Sequence, residues 1–143
     1  MKILETLSAA AILLLASCAN SGKVAYTEAK NYFHKNDAPL PESIRITSQE
    51  EFDRQFGMAA HMGKDGRPTA IDFGKEFVLT KVLPETNLET ELTPLSLTRE
   101  DGKLQLTYRL VQGKPQSYTS QPMFILIVPK AYMNLEVEEK MMK

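Results

Sequence analysis

Residues 101–110 read Asp101-Gly102-Lys103-Leu104-Gln105-Leu106-Thr107-Tyr108-Arg109-Leu110. Leu104, Leu106, Tyr108 and Leu110 alternate with polar neighbours, and a period of two belongs to a strand with one buried face. The Asp-Gly pair ahead of them tolerates the positive φ angles of a tight hairpin turn. Leu95 and Leu97 alternate in the same way on the other side of that pair. A β-hairpin turning at Asp101-Gly102 is therefore predicted.

Two stretches further out lack alternation: Phe77-Val78-Leu79-Thr80-Lys81-Val82-Leu83, and Met123-Phe124-Ile125-Leu126-Ile127-Val128 closed by Pro129. Short, nearly unbroken apolar runs predict central strands. Pro84-Glu85-Thr86-Asn87 predicts a turn after the first run, and Gly113-Lys114-Pro115 a break before the second. Leu135 and Val137 predict a frayed last strand. Lys30 to Lys35 predicts a first strand, and Ser43-Ile44-Arg45-Ile46 a short one.

Ser48-Gln49-Glu50-Glu51 is a capping box, with a serine at the N-cap and glutamate three residues on. Phe52 and Phe56 follow at i, i+4 on one face, and Gly57 stands where a helix stops. The expected fold is α+β and mainly antiparallel β. One short N-terminal helix packs on a four- to six-stranded meander sheet or small sandwich.

The start of the chain has a different character. After Met1-Lys2, residues 7–16 carry no charge, and ten such residues suit a signal peptide but not a bilayer span of ~20. Leu15-Ala16-Ser17-Cys18 follows, resembling the lipobox of bacterial lipoproteins. That resemblance implies cleavage between Ser17 and Cys18 and lipidation of the Cys18 sulfur. Cys18 is the single cysteine of the chain and so has no internal disulfide partner. The domain organisation expected is a signal peptide over 1–17, a lipidated cysteine and flexible tether over 18–29, and one globular domain over 30–143. In enterobacterial lipoproteins an aspartate directly after the cysteine signals retention at the inner membrane, so the resemblance, with Ala19 at that position, implies the outer membrane, facing the periplasm or the surface.

Seventeen basic against eighteen acidic residues give a net charge of −1, and the aromatics are not interleaved with Arg or Lys. Nucleic-acid binding is thereby disfavoured.

Ile46-Thr47-Ser48-Gln49-Glu50-Glu51-Phe52, then Ile71-Asp72-Phe73, the Asp101-Gly102 hairpin and Tyr118-Thr119-Ser120-Gln121-Pro122 together resemble the C-terminal domain of PrcB-type protease-complex subunits over residues 43–130. With Asn31-Tyr32-Phe33 and Phe56-Gly57, the chain is more similar still to short lipoproteins of Bacteroidetes-type bacteria. The resemblance implies a regulator or inhibitor of a secreted or periplasmic protease, with Pro84 to Leu92 as the loop it would present.

The residues themselves point to no catalyst. His34 and His61 are the only histidines, with no Gly-x-Ser-x-Gly elbow and no zinc motif around them. No cofactor and no metal ligand set is expected. Asp72 reads either as a buried carboxylate or, preferably, as a cap on the turn before the central strand. Candidate binding residues fall in two segments. Met58, His61, Met62, Lys64, Asp65 and Arg67 lie in the longest aperiodic stretch, and Glu85, Asn87 and Glu89 follow the central strand. Met58 and Met62 serve either as an adaptable apolar contact or as satellite core beneath the loop. The leading expectation is a non-enzymatic accessory module held at the membrane by its lipid, with a protein or glycan partner in the envelope. An unrecognised enzyme is the remaining alternative.

Overall fold

The computed structural model describes residues 22–41 and 43–143. Asp101 and Gly102 have φ of 52° and 75°, the pair of positive angles a two-residue hairpin turn requires, and Glu100 faces Lys103 across them. In chain order the elements are β1 (Gly22–Lys23), β2 (Thr27–Glu28), β3 (Tyr32–His34), β4 (Arg45–Ile46), α1 (Gln49–Gln55), β5 (Phe56–Met58), β6 (Glu76–Val82), β7 (Thr86–Glu100), β8 (Lys103–Ser120), β9 (Met123–Pro129) and β10 (Glu136–Met142). A 3-10 turn at Lys130–Tyr132 separates the last two strands.

The hairpin is far longer than its turn suggests. β7 pairs with β8, and β6 pairs with β9, in one antiparallel ribbon from Glu76↔Pro129 to Glu100↔Lys103. Midway the ribbon bends back on itself, so that its tip half lies over its base half. The tip half becomes a sheet of order β1-β7-β8-β10, and the base half a sheet of order β2-β9-β6-β4. Between them Leu97, Leu104, Leu106 and Tyr108 meet Phe77, Leu79, Phe124, Leu126 and Val128, all buried. This is the sandwich form of the expected fold.

The base sheet is covered on its second face too. Val78, Val82 and Ile125 point away from the tip sheet and pack with Ile46, Phe52 and Phe56. Period-two alternation sends neighbouring residues to opposite faces, so a strand buried on both has no polar side to show. That is why β6 and β9 read as unbroken apolar runs. Thr80 is the buried polar residue of β6, 1% exposed, and its hydroxyl donates to the Phe124 carbonyl at 2.8 Å. Helix α1 supplies the outer layer. The Ser48 side chain accepts from the Glu51 N–H, and Phe52 and Phe56 stack at 5.0 Å between ring centroids.

Several expectations need correction. Residues 22–29 are not tether: Val24 is buried, its N–H donates to the Leu97 carbonyl, and β2 pairs with β9. The globular domain therefore includes residues assigned to the tether. Gly113-Lys114-Pro115 does not break β8, which runs through it to Ser120. The ladder tolerates proline there because the pairing is irregular around Leu88↔Pro115. The last strand is not frayed, since β10 pairs with β8 over seven residues. It does so in parallel, which takes the tip sheet out of a pure meander. The helix does stop at Gly57, ending at Gln55 with Phe56 as its C-cap, but Gly57 has no positive φ and continues as strand. Gly57 lies in β5 because the Phe33 ring crosses it, and an added Cβ would sit 2.5 Å from Phe33 Cζ.

Where the sheets meet at one edge, Lys81 Nζ lies 3.1 Å from Glu139 Oε1, and the Tyr108 hydroxyl donates to the same oxygen at 3.3 Å. Burial opposes the charged amine of Lys81. The hydrogen bond and charge of Glu139 together outweigh it and hold Lys81 above its ordinary 10.5. Burial likewise lifts the phenols of Tyr26, Tyr32 and Tyr108 above 10.0. In all four groups the fold favours the protonated form. Their contribution to stability is thus complete below the unfolded-state values and is lost as pH rises through the higher folded-state ones. The urea midpoint should fall between about pH 9 and about pH 11, and Tyr108→Phe should reduce that fall. An unchanged slope in Tyr108→Phe would contradict this account.

Candidate functional site

The long aperiodic stretch is held in place from the far side of the sequence. Asn31, at φ 67°, uses its side-chain amide to donate to the carbonyls of Asp65 at 2.7 Å and Arg67 at 2.9 Å. Asparagine is among the few residues that adopt this left-handed conformation readily. The Ala59 N–H donates to the Asn31 carbonyl, and the Thr69 N–H to the Lys30 carbonyl. The Tyr32 hydroxyl donates to the Thr69 carbonyl at 2.6 Å. Within the loop the His61 N–H donates to the Gly66 carbonyl at 2.9 Å. Gly66 is buried, and a Cβ there would fall within bonding range of the His61 carbonyl oxygen. The segment is a loop pinned at both ends, with a cross-tie inside.

Beside it lies a groove of about 400 Å³ lined by Tyr32, Phe52, Met58, Pro68 and Ile71, with Arg67 and Gln49 as its polar residues. Phe52 is the floor. Its ring meets Tyr32 edge-on at 5.2 Å and Phe73 at 5.9 Å, so the aromatic packing that seats α1 also shapes the groove.

The candidate residues divide. Met58 and Arg67 line the groove, whereas His61, Met62, Lys64 and Asp65 are exposed on the loop. Met58 and Met62 are 72% and 98% exposed, which rules out satellite core. Glu85 lines a separate polar hollow with His34, Lys35 and Gln121. Asn87 and Glu89 are not loop residues: β7 begins at Thr86, so most of the segment from Pro84 to Leu92 is strand. The Glu89 carboxylate lies 3.0 Å from where a Cβ of Gly113 would stand, and Gly113 itself sits in the irregular pairing between Leu88↔Pro115 and Thr90↔Gln112. Tyr32, Phe52 and Ile71 join the groove without having been candidates, and Asn31 is the tie that orders the loop. An asparagine ahead of an extended aromatic pair is a weak signal of such a role, and nothing local points from it to residue 65.

His34 is 5% exposed, its Nε2 bonded to Gln55 Oε1 at 2.9 Å and its ring edge-on to Phe56. This is a satisfied core histidine. Asp72 is exposed rather than buried. Its Oδ1 accepts from the Gly74 N–H at 2.9 Å and its carbonyl from the Lys75 and Glu76 N–H groups, so it shapes the turn into β6. Among the described residues, no three His, Cys, Asp or Glu side chains form a group able to hold a metal, and no helix is long and apolar enough to cross a membrane. Ser17, Cys18 and the leader lie outside the described residues. No protein-family model matches the chain, and neither a curated protein nor a solved structure is significantly similar to it.

Proposed function

We propose that this chain is a lipid-anchored, non-enzymatic binding module of the cell envelope, and that its groove takes a large apolar side chain from an extended segment of a partner protein. The observation that carries the reading is the pairing of an apolar groove with a pinned loop and a single cation, Arg67, among its lining residues. Groove walls of Tyr32, Phe52 and Ile71 are held by packing, so little ordering cost accompanies binding. Arg67 adds a preference for a carboxylate next to the apolar group. Anchoring through Cys18 would confine the module near envelope partners and raise their effective concentration.

The test uses the full chain and a short peptide holding one phenylalanine between two aspartates. Methyl resonances of Ile71 and Met58 should shift on titration, with a Kd of about 1 mM. Ile71→Glu should abolish the shift, and Arg67→Glu should transfer preference to the peptide with lysines in place of aspartates. Absence of any shift at Ile71 with either peptide would remove the groove reading. Separately, Cys18→Ala should move the protein from the membrane fraction to the aqueous one, and identical fractionation would remove the anchor.

A further inference from the structure

The end of β5 and the loop that follows it place Met58, His61 and Met62 within five consecutive residues, and the groove accounts for only Met58. Met62 is 98% exposed and touches no core, so packing gives no reason for a thioether there. The ring of His61 is more informative. Its Nδ1 lies 3.2 Å from the Met62 carbonyl oxygen. A carbonyl can only accept, so the ring proton sits on Nδ1, and in the neutral ring Nε2 keeps its lone pair. Metal-binding histidines are commonly oriented in this way, with the second nitrogen donating to a backbone carbonyl.

The geometry points to a site for a soft monovalent cation, Cu(I) or Ag(I), bound by the Met58 and Met62 thioethers and His61 Nε2. Neutral sulfur and imidazole donors favour soft d10 ions, which accept two or three ligands. Hard cations are disfavoured because none of the three donors is an oxygen, and Lys64 and Arg67, which flank Asp65, repel a divalent ion more than a monovalent one. Met58 and Met62 have three rotatable side-chain bonds each and are 72% and 98% exposed, so core packing ties down neither thioether. The cross-tie from the His61 N–H to the Gly66 carbonyl, and the hold of Asn31 on Asp65 and Arg67, fix the backbone around the three donors. Binding exchanges one ligand set for another, with no bond broken in the protein and no electron moved.

Silver nitrate is the probe, because Ag(I) avoids the oxidation of Cu(I). It is titrated in chloride-free buffer into the full chain carrying Cys18→Ser, which removes a competing thiol. One equivalent should bind, shifting the Met58 and Met62 methyl signals but not those of Met141 and Met142, which are also partly exposed. Met62→Leu and His61→Ala should each weaken binding about tenfold or more. Met141→Leu with Met142→Leu should leave it unchanged. Unaltered affinity in a Met58→Leu, Met62→Leu double variant would overturn the site. So would equal shifts at Met141 and Met142, which mark indiscriminate binding to thioethers, or tighter binding of Zn(II). The peptide titration reads a different ligand, so this site and the groove stand or fall separately.

Discussion

Phe77→Ala lowers the free energy of unfolding by about 3–5 kcal/mol, a large part of the roughly 5–15 kcal/mol that holds a small domain together. Phe77 is wholly buried in β6, where the base half of the ribbon faces Leu104 and Leu106 of the tip half. Truncation removes the ring's transfer free energy and leaves a void that both sheets would have to move to fill. Phe33→Ala is the control: its ring is 48% exposed and rests on the backbone of Gly57, so its loss should cost about 1 kcal/mol or less. Urea unfolding of both variants gives the comparison. Equal midpoints would mean that the two sheets do not share a core at Phe77.

Gly66→Ala acts on the loop instead. The new methyl would occupy the place of the His61 carbonyl oxygen, and that backbone cannot step aside without giving up the His61 to Gly66 hydrogen bond. The expected cost is about 1–3 kcal/mol. Loss of the Ag(I)-induced shifts at Met58 and Met62 should accompany it. Gly63→Ala separates crowding from conformation, because Gly63 has φ 107° with open space around it. It should cost about 1 kcal/mol of backbone strain and retain a weaker silver response. A Gly66→Ala protein with wild-type silver affinity would show that the cross-tie is not needed.

Features read correctly from the sequence are those whose cause lies within a few residues. The Ser48 cap, the Phe52 and Phe56 pair and the Asp101-Gly102 turn each depend on neighbours in the chain, and each forms. β6 and β9 were legible as strands because burial on both faces leaves an unmistakable composition. β1 and β2 were not, since two-residue strands are too short to carry a period, and Val24 alone reports burial. β10 was seen only in part. Parallel pairing with β8 joins Glu136 to Lys103, and no local pattern specifies a partner that far away. Gly113 and Pro115 read as a break for a physical reason, as both lie in β8 where the ladder is already irregular.

The site was legible to the same degree. Exposure of Met58 and Met62 follows from how the loop is pinned, and the pin comes from Asn31, remote in sequence. The groove draws Tyr32, Phe52 and Ile71 from three separate segments, each of which reads locally as ordinary core. Asp72 is the turn cap its neighbours suggest, because its partner Gly74 lies two residues on, whereas the partner of His34, Gln55 at the end of α1, is 21 residues away and left no local mark.

The bend in the ribbon has a consequence for how such a chain can change. Val82 faces Met123 and Thr90 faces Gln112, so eight steps along one strand are matched by eleven along the other. The mismatch is absorbed at the elbow between those two pairs, chiefly in the register shifts on either side of Leu88↔Pro115, and regular pairing resumes beyond it. A residue gained or lost there alters only the elbow, whereas the same change inside β6 or β9 would turn every following side chain to the wrong face. Length variation among descendants of this sequence should accumulate at that hinge, which is also the natural place to graft a foreign epitope.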